Sequence, residues 1–170
     1  MGEHGVVVDH AAESSSAAED LAAFAELGDA LVDAVRRALP AWVEACVAER
    51  SAPAIAAPGI SSAAVDEAGR AASSDIGDRL RELFSKDIDE QLTTPLSILR
   101  AAVTYPTALL AAAGVAALAR DDFATRMFPH DPYDLSPAGF ADFGPEVAEC
   151  GLAWGAAKAF VHLRRRGEQP

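Results

Sequence analysis

The stretch DLAAFAELGDALVDAVRRAL, residues 20–39, decides the fold. Its large apolar residues, Leu21, Phe24, Leu27, Leu31, Val35 and Leu39, recur every three or four positions. That is the 3.6-residue period of a helix that buries one stripe. Glu26, Asp29, Asp33, Arg36 and Arg37 fall elsewhere on the wheel, where water can solvate them. The helix is expected to start near Glu19 or Asp20, whose charges suit the positive end of the helix dipole. Pro40 follows the stretch. It has no N–H to donate and disfavours helical geometry at Leu39. A kink or break is expected there, with Pro40 near the start of a second helix whose inner face is Trp42, Val43, Cys46 and Val47.

The rest of the chain repeats this pattern between clear punctuation. Ser51 to Pro58 contains two prolines and reads as a loop. Ser61 or Ser62 is a suitable N-cap for a helix carrying Val65, Ala68, Ala72, Ile76, Leu80 and Leu83, with Ser73, Ser74 and Gly77 as points of bending or interruption. Thr94–Pro95 reads as an N-cap followed by proline at the first helical position, ahead of Leu96, Leu99 and Val103. Tyr105–Pro106 repeats that punctuation and starts a short apolar helix that Gly114 ends in a left-handed cap. Asp121 and Asp122 open another short helix through Met127. Phe128 to Pro137 holds three prolines and reads as irregular, and Ser136–Pro137 is expected to cap a short helix to about Asp142. Gly144–Pro145 opens the last long helix, with Val147, Cys150, Trp154, Ala157 and Val161 as its stripe and Arg164, Arg165 and Arg166 at its end. The expected architecture is all-α: a compact bundle of six or seven helices forming one domain over 18–167. Residues 1–17 carry too little apolar surface to offset ordering and are expected to be a mobile tail.

Composition supports this reading and bounds the function. The apolar fraction is 51%, much of it alanine, and aromatics are 6%, so helices packed through small side chains are favoured over strands. Arginine greatly outnumbers lysine, which together with the alanine content fits a GC-rich bacterial genome. The formal net charge of -12 argues against direct nucleic-acid or anionic-membrane binding. The N-terminus lacks the basic start and apolar core of a signal peptide. The longest apolar run, Ala108 to Ala119, is shorter than the roughly 20 residues a bilayer requires. A cytoplasmic location without a membrane partner is the expectation. Cys46 and Cys150 stand apart and belong to no Cys-x-x-Cys pair, and no histidine pair has metal-ligand spacing, so neither a metal nor a cofactor is expected.

Two segments stand out as candidate pocket or interface. The first is His130-Asp131-Pro132-Tyr133-Asp134, which gathers an imidazole, two carboxylates and a phenol in an irregular loop. Its alternative is a rigid connector, with prolines restricting the chain and aspartate capping turns. The second is Gly151 to Ala159, where Gly151, Gly155 and Ala159 repeat every four residues. Glycine inside a helix costs about 1 kcal/mol, which suggests close approach of another backbone or a ligand, either tight helix–helix packing or a groove for a partner helix or small ligand. Lys158 and His162 share a face beside Gly155, near Trp154, and Tyr105 and the loop Asp131–Asp134 join them as residues for a pocket between helices. The leading functional expectation is a non-catalytic adaptor or regulator that binds another protein. A homodimer through the last helix or through the Leu21–Leu39 stripe is compatible with it. The alternatives are a small-ligand-binding protein or enzyme with an inter-helix pocket, and an acidic mimic of nucleic acid.

Overall fold

Why Pro40 fails to end the first helix is the question that organises the architecture. The computed structural model describes residues 10–51 and 59–167, with side chains from residue 19 onward. In it α1 runs unbroken over His10–Ser51, through Pro40. Proline at position 40 leaves the Arg36 carbonyl without its i+4 donor. The Ser73 hydroxyl, from the neighbouring helix, donates to that carbonyl at 2.8 Å. The expected second helix starting at Pro40 is therefore corrected: an external donor replaces the missing one and the helix continues. We expect Ser73→Ala to cost about 1 kcal/mol in the parent chain and close to nothing in a Pro40→Ala background, where the backbone supplies its own N–H. Equal costs in both backgrounds, measured by urea melts, would refute this account.

Helix α2, Ser62–Ser85, is capped by Ser61, whose side chain accepts from the Ala64 N–H. It is not interrupted at Ser73, Ser74 or Gly77. It lies antiparallel to α1, since Gly28 meets Phe84, Arg36 pairs with Asp78, and Pro40 meets Gly69. Two glycines permit this approach. A Cβ on Gly69 would lie 2.9 Å from the Pro40 Cα, and one on Gly77 would overlap the Arg36 side chain.

Helix α3 occupies Pro95–Ala112 as one helical body with a 3-10 turn at Ala101–Val103. Thr94 caps it. Tyr105–Pro106 stands where expected, in the first turn of the α-helical segment Thr104–Ala112, where the lack of an N–H is tolerated, and the 3-10 turn joins that segment to Pro95–Arg100. By length and composition α3 could cross a membrane. Here Ile98, Leu99, Ala102, Val103 and Leu110 are buried in the core. Gly114, at φ 73°, ends the helix as expected. Val115 N–H bonds the Leu110 carbonyl and Gly114 N–H bonds that of Ala111, the two bonds of a Schellman cap.

Short helix α4, Asp122–Met127, is capped by Asp121. The short helix expected from Ser136–Pro137 is instead a 3-10 turn at Phe140–Phe143. Its entry is tied by the Asp142 carboxylate, which accepts the N–H groups of Ala138 and Gly139 at 2.7 and 2.9 Å. Helix α5, Pro145–Arg165, closes the fold antiparallel to α1, with Arg37 paired to Glu146 and Arg164 to Asp20.

The described residues are all helix, turn and loop, with no strand. They form five helices, fewer than the six or seven expected, because α1 continues through Pro40 and a 3-10 turn joins the segments on either side of Ala101–Val103 into one helical body. Helix α1 also starts earlier than Glu19. Residues 1–9 of the expected tail, and residues 52–58 of the expected loop, lie outside the described residues. The core is continuous. Leu31, Val35, Leu39 and Val43 of α1 meet Ile76 and Leu80 of α2, Leu99 and Leu110 of α3, and Val147 of α5. Aromatic rings close both ends. Trp154 packs on Phe24 and Phe84, and Trp42 on Phe143. Leu21 is the exception in the first stripe and remains exposed.

Candidate functional site

The residues singled out in the sequence fall into three separate places. The 130–134 loop is built around Asp131, a carboxylate only 1% exposed. Asp131 accepts the N–H groups of Tyr133, Leu135 and Ser136 at 3.3, 2.7 and 2.5 Å. The Tyr133 hydroxyl donates to the Val115 carbonyl at 2.8 Å, and the Leu118 N–H to the Pro132 carbonyl at 3.1 Å. The Arg120 guanidinium donates to the carbonyls of Ala124, Phe128 and Asp131. Asp134 adopts φ 59° and its carbonyl accepts from Arg50. Asp131 and Tyr133 thus spend their polar atoms on the chain's own backbone, the rigid-connector arrangement. His130 is exposed at the edge of a cleft of about 330 Å³, whose other walls include Ser97, Arg100, Thr104 and Met127.

Tyr105 stands apart on α3. Its hydroxyl donates to Asp75 at 3.1 Å, and burial first, then this carboxylate, raises its pKa.

The third place is the C-terminal half of α5. Trp154, Lys158 and His162 are brought together, as their spacing implied. The Lys158 ammonium lies 5.1 Å from the Trp154 ring and 3.5 Å from both the carbonyl and the side-chain oxygen of Gln91. Burial lowers its pKa, and Asp89 partly offsets that. The His162 Nδ1 is 3.4 Å from Asp89. Arg165, absent from the expected set, pairs with Asp87 at 2.9 Å and Asp89 at 2.6 Å, and holds the Asp87 carboxyl below its usual pKa. Lys158, His162 and Arg165 recur every three or four residues. They dock α5 onto the turn 87–91 that follows α2. That spacing was visible in the sequence, but the acidic turn opposite it was not. The Trp154 indole N–H is buried without an acceptor among the described residues.

The paired glycines behave differently from each other. A Cβ at Gly151 would come within 2.5 Å of the Phe140 ring, so close approach explains that glycine. A Cβ at Gly155 would meet nothing within 4 Å, so packing within the chain does not explain that glycine. Gly155 lies on the outer side of α5, turned away from the core. We expect Gly155→Ala to stabilise the chain by about 0.5–1 kcal/mol, since the helix gains propensity and no contact is strained. Gly151→Ala is expected to destabilise it by about 1–3 kcal/mol, because Phe140 must leave its place. Thermal melts at low concentration check both signs.

Cys46 is a buried member of the core, and burial pushes its thiol up to about 12. Cys150 is half-buried. At pH 8 a thiol reagent should label Cys46 only on unfolding, because the thiolate is the reactive form. Immediate labelling of Cys46 in the native protein would contradict its placement.

Among the described residues, no group of three His, Cys, Asp or Glu side chains is placed to hold a metal ion. Several carboxylates of α2 sit beside cations: Glu67 by Arg70, Asp75 by Arg79, Asp78 by Arg36 and Arg81.

One further feature emerges only from burial. On the face of α5 opposite the core, Leu152 is 73% exposed, Phe160 41% and Leu163 36%, with Gly155, Ala156 and Ala159 exposed between them. No protein-family model matches the chain, and no curated protein or solved structure matches it either.

Proposed function

We propose that this chain is a non-catalytic helical interaction module, whose last helix presents an apolar outer face to another polypeptide. One observation carries the reading: Leu152, Ala156, Ala159, Phe160 and Leu163 form a contiguous exposed stripe on a helix whose other side is well anchored. Single exposed apolar residues are ordinary, whereas contiguous ones mark interaction surfaces. The anchoring by Trp154, Lys158 and Arg165 keeps the stripe rigid, so little ordering entropy is lost on binding.

The test is site-specific crosslinking in cells of the source organism. A photo-crosslinking amino acid at Ala156 should give polypeptide adducts several-fold above those at Arg70, on the exposed side of α2. Equal labelling at the two positions would reject the reading.

A second reading has its own support in the cleft beside His130. Its exposed lining surface is mainly apolar, with Ser97, Arg100, Thr104, His130, Asp131 and Ser136 among the lining residues, which suits a small organic ligand. A fragment screen followed by nuclear magnetic resonance would show shifts concentrated at Thr104 and His130 if a ligand seats there, and scattered shifts if none does.

A further inference from the structure

The outer face of α5 has an order that is complementary to its own reverse. Glu149, Leu152, Ala156, Ala159, Leu163 and Arg166 follow at alternating spacings of three and four, so they lie on one side of the helix. All six are exposed. The sequence of chemistries is acid, leucine, alanine, alanine, leucine, base. Two such helices laid antiparallel, with the two-fold axis between Ala156 and Ala159, place each residue opposite its complement. Leu152 meets the partner's Leu163, Ala156 meets the partner's Ala159, and Glu149 meets the partner's Arg166. A parallel arrangement would instead oppose Glu149 to the partner's Glu149.

We propose that the occupant of this face is a second copy of the chain, docked antiparallel along α5 as a two-fold dimer. The inference rests on the reading that this face is an interaction surface, and it names the partner. Three observations support self-pairing. The charges at the two ends are complementary, and neither Glu149 nor Arg166 has an ion-pair partner among the described residues. The small residues lie at the middle, where two helix axes in a symmetric pair come closest, and alanine permits the short end of the 8–10 Å interaxial range. The leucines flank that centre symmetrically, as a two-fold interface requires, because the same patch must serve both subunits. The stripe spans about 26 Å at 1.5 Å per residue, long enough for a helix-pair seam. The other apolar stripe considered for dimerisation, Leu21–Leu39, is spent on the core through Phe24, Leu31, Val35 and Leu39.

Sedimentation equilibrium across a wide concentration range, on the full chain, tests this. The parent protein should show a monomer–dimer equilibrium. Glu149→Arg and Arg166→Glu each turn both ends of the dimer into like-charge contacts, and each should weaken self-association roughly tenfold. An equimolar mixture of the two variants should associate nearly as tightly as the parent, since every end of that heterodimer again joins opposite charges. Leu152→Glu should abolish association. All these positions are exposed in the monomer, and unchanged helical dichroism confirms that each variant is folded. A parent chain that stays monomeric overturns the proposal, as does a mixture that associates no better than either variant alone. If the parent is monomeric and Ala156 still crosslinks to a different polypeptide, the interaction reading stands and the self-pairing fails.

Discussion

Asp131→Ala will lower the thermal midpoint by roughly 10 °C. The carboxylate sits 99% out of solvent and accepts three backbone N–H groups, from Tyr133, Leu135 and Ser136. Each buried donor left without an acceptor costs about 1–3 kcal/mol. Losing all three at once should cost roughly 3–5 kcal/mol, since water can reach Ser136 but reaches Tyr133 and Leu135 poorly. The damage spreads, because the same loop carries the Tyr133 bond to Val115 and the Pro132 bond to Leu118. Those bonds hold the connector from α3 to α5. Asp131→Asn keeps one carbonyl oxygen but turns an amide N–H₂ toward the backbone donors, so it should fall between the parent and alanine. A loss below about 1 kcal/mol for alanine would show that the loop is not organised by this carboxylate.

Trp154→Ala should cost about 3–5 kcal/mol, measured as a shift in the urea midpoint at constant slope. Trp154 joins three helices: its ring packs 5.8 Å from Phe24 of α1 and 5.2 Å from Phe84 of α2 while its backbone belongs to α5. Removing it opens a cavity between elements that cannot collapse independently. It also takes away the aromatic face beneath Lys158. Trp154→Phe should cost much less than the lost area implies, because the indole N–H that disappears had no acceptor. Similar costs for Phe and Ala would mean that the orphan N–H is in fact satisfied by water. A small cost for Ala would mean that the α1–α2–α5 junction is held elsewhere.

Much of this fold can be read from local signals. The stripe of residues 20–39 and the Val147–Val161 stripe place Leu31, Val35, Leu39, Val147, Trp154 and Val161 in the core. The caps at Ser61, Thr94, Asp121 and Gly114 are where the residue types put them. Pro40 was misread because its consequence is decided by Ser73, 37 residues away, which no local rule connects to it. Gly151 and Gly155 look alike in the sequence, and only the position of Phe140 separates them. Among the candidate site residues, the four-residue spacing of Lys158 and His162 puts them on one side of α5, where they face the turn 87–91. For the His130–Asp134 loop the sequence leaves two readings open, because an aspartate that organises a turn and an aspartate that does chemistry are the same residue; in the fold Asp131 organises the turn. Arg165 was missed as a partner because the Asp87–Asp89 turn faces it only after α5 has packed.

What the chain determines by itself is therefore its periodicity: which segments are helical, which side of each is apolar, and where most caps stand. These follow from the 3.6-residue repeat and from hydrogen bonds spanning three or four residues, and both are local. The tertiary structure alone decided that Pro40 lies within a helix, that Gly151 is crowded and Gly155 open, and that the outer side of α5 is left bare. Each of those depends on atoms brought close by folding from distant parts of the chain, whose free energy of contact does not exist until the core has closed.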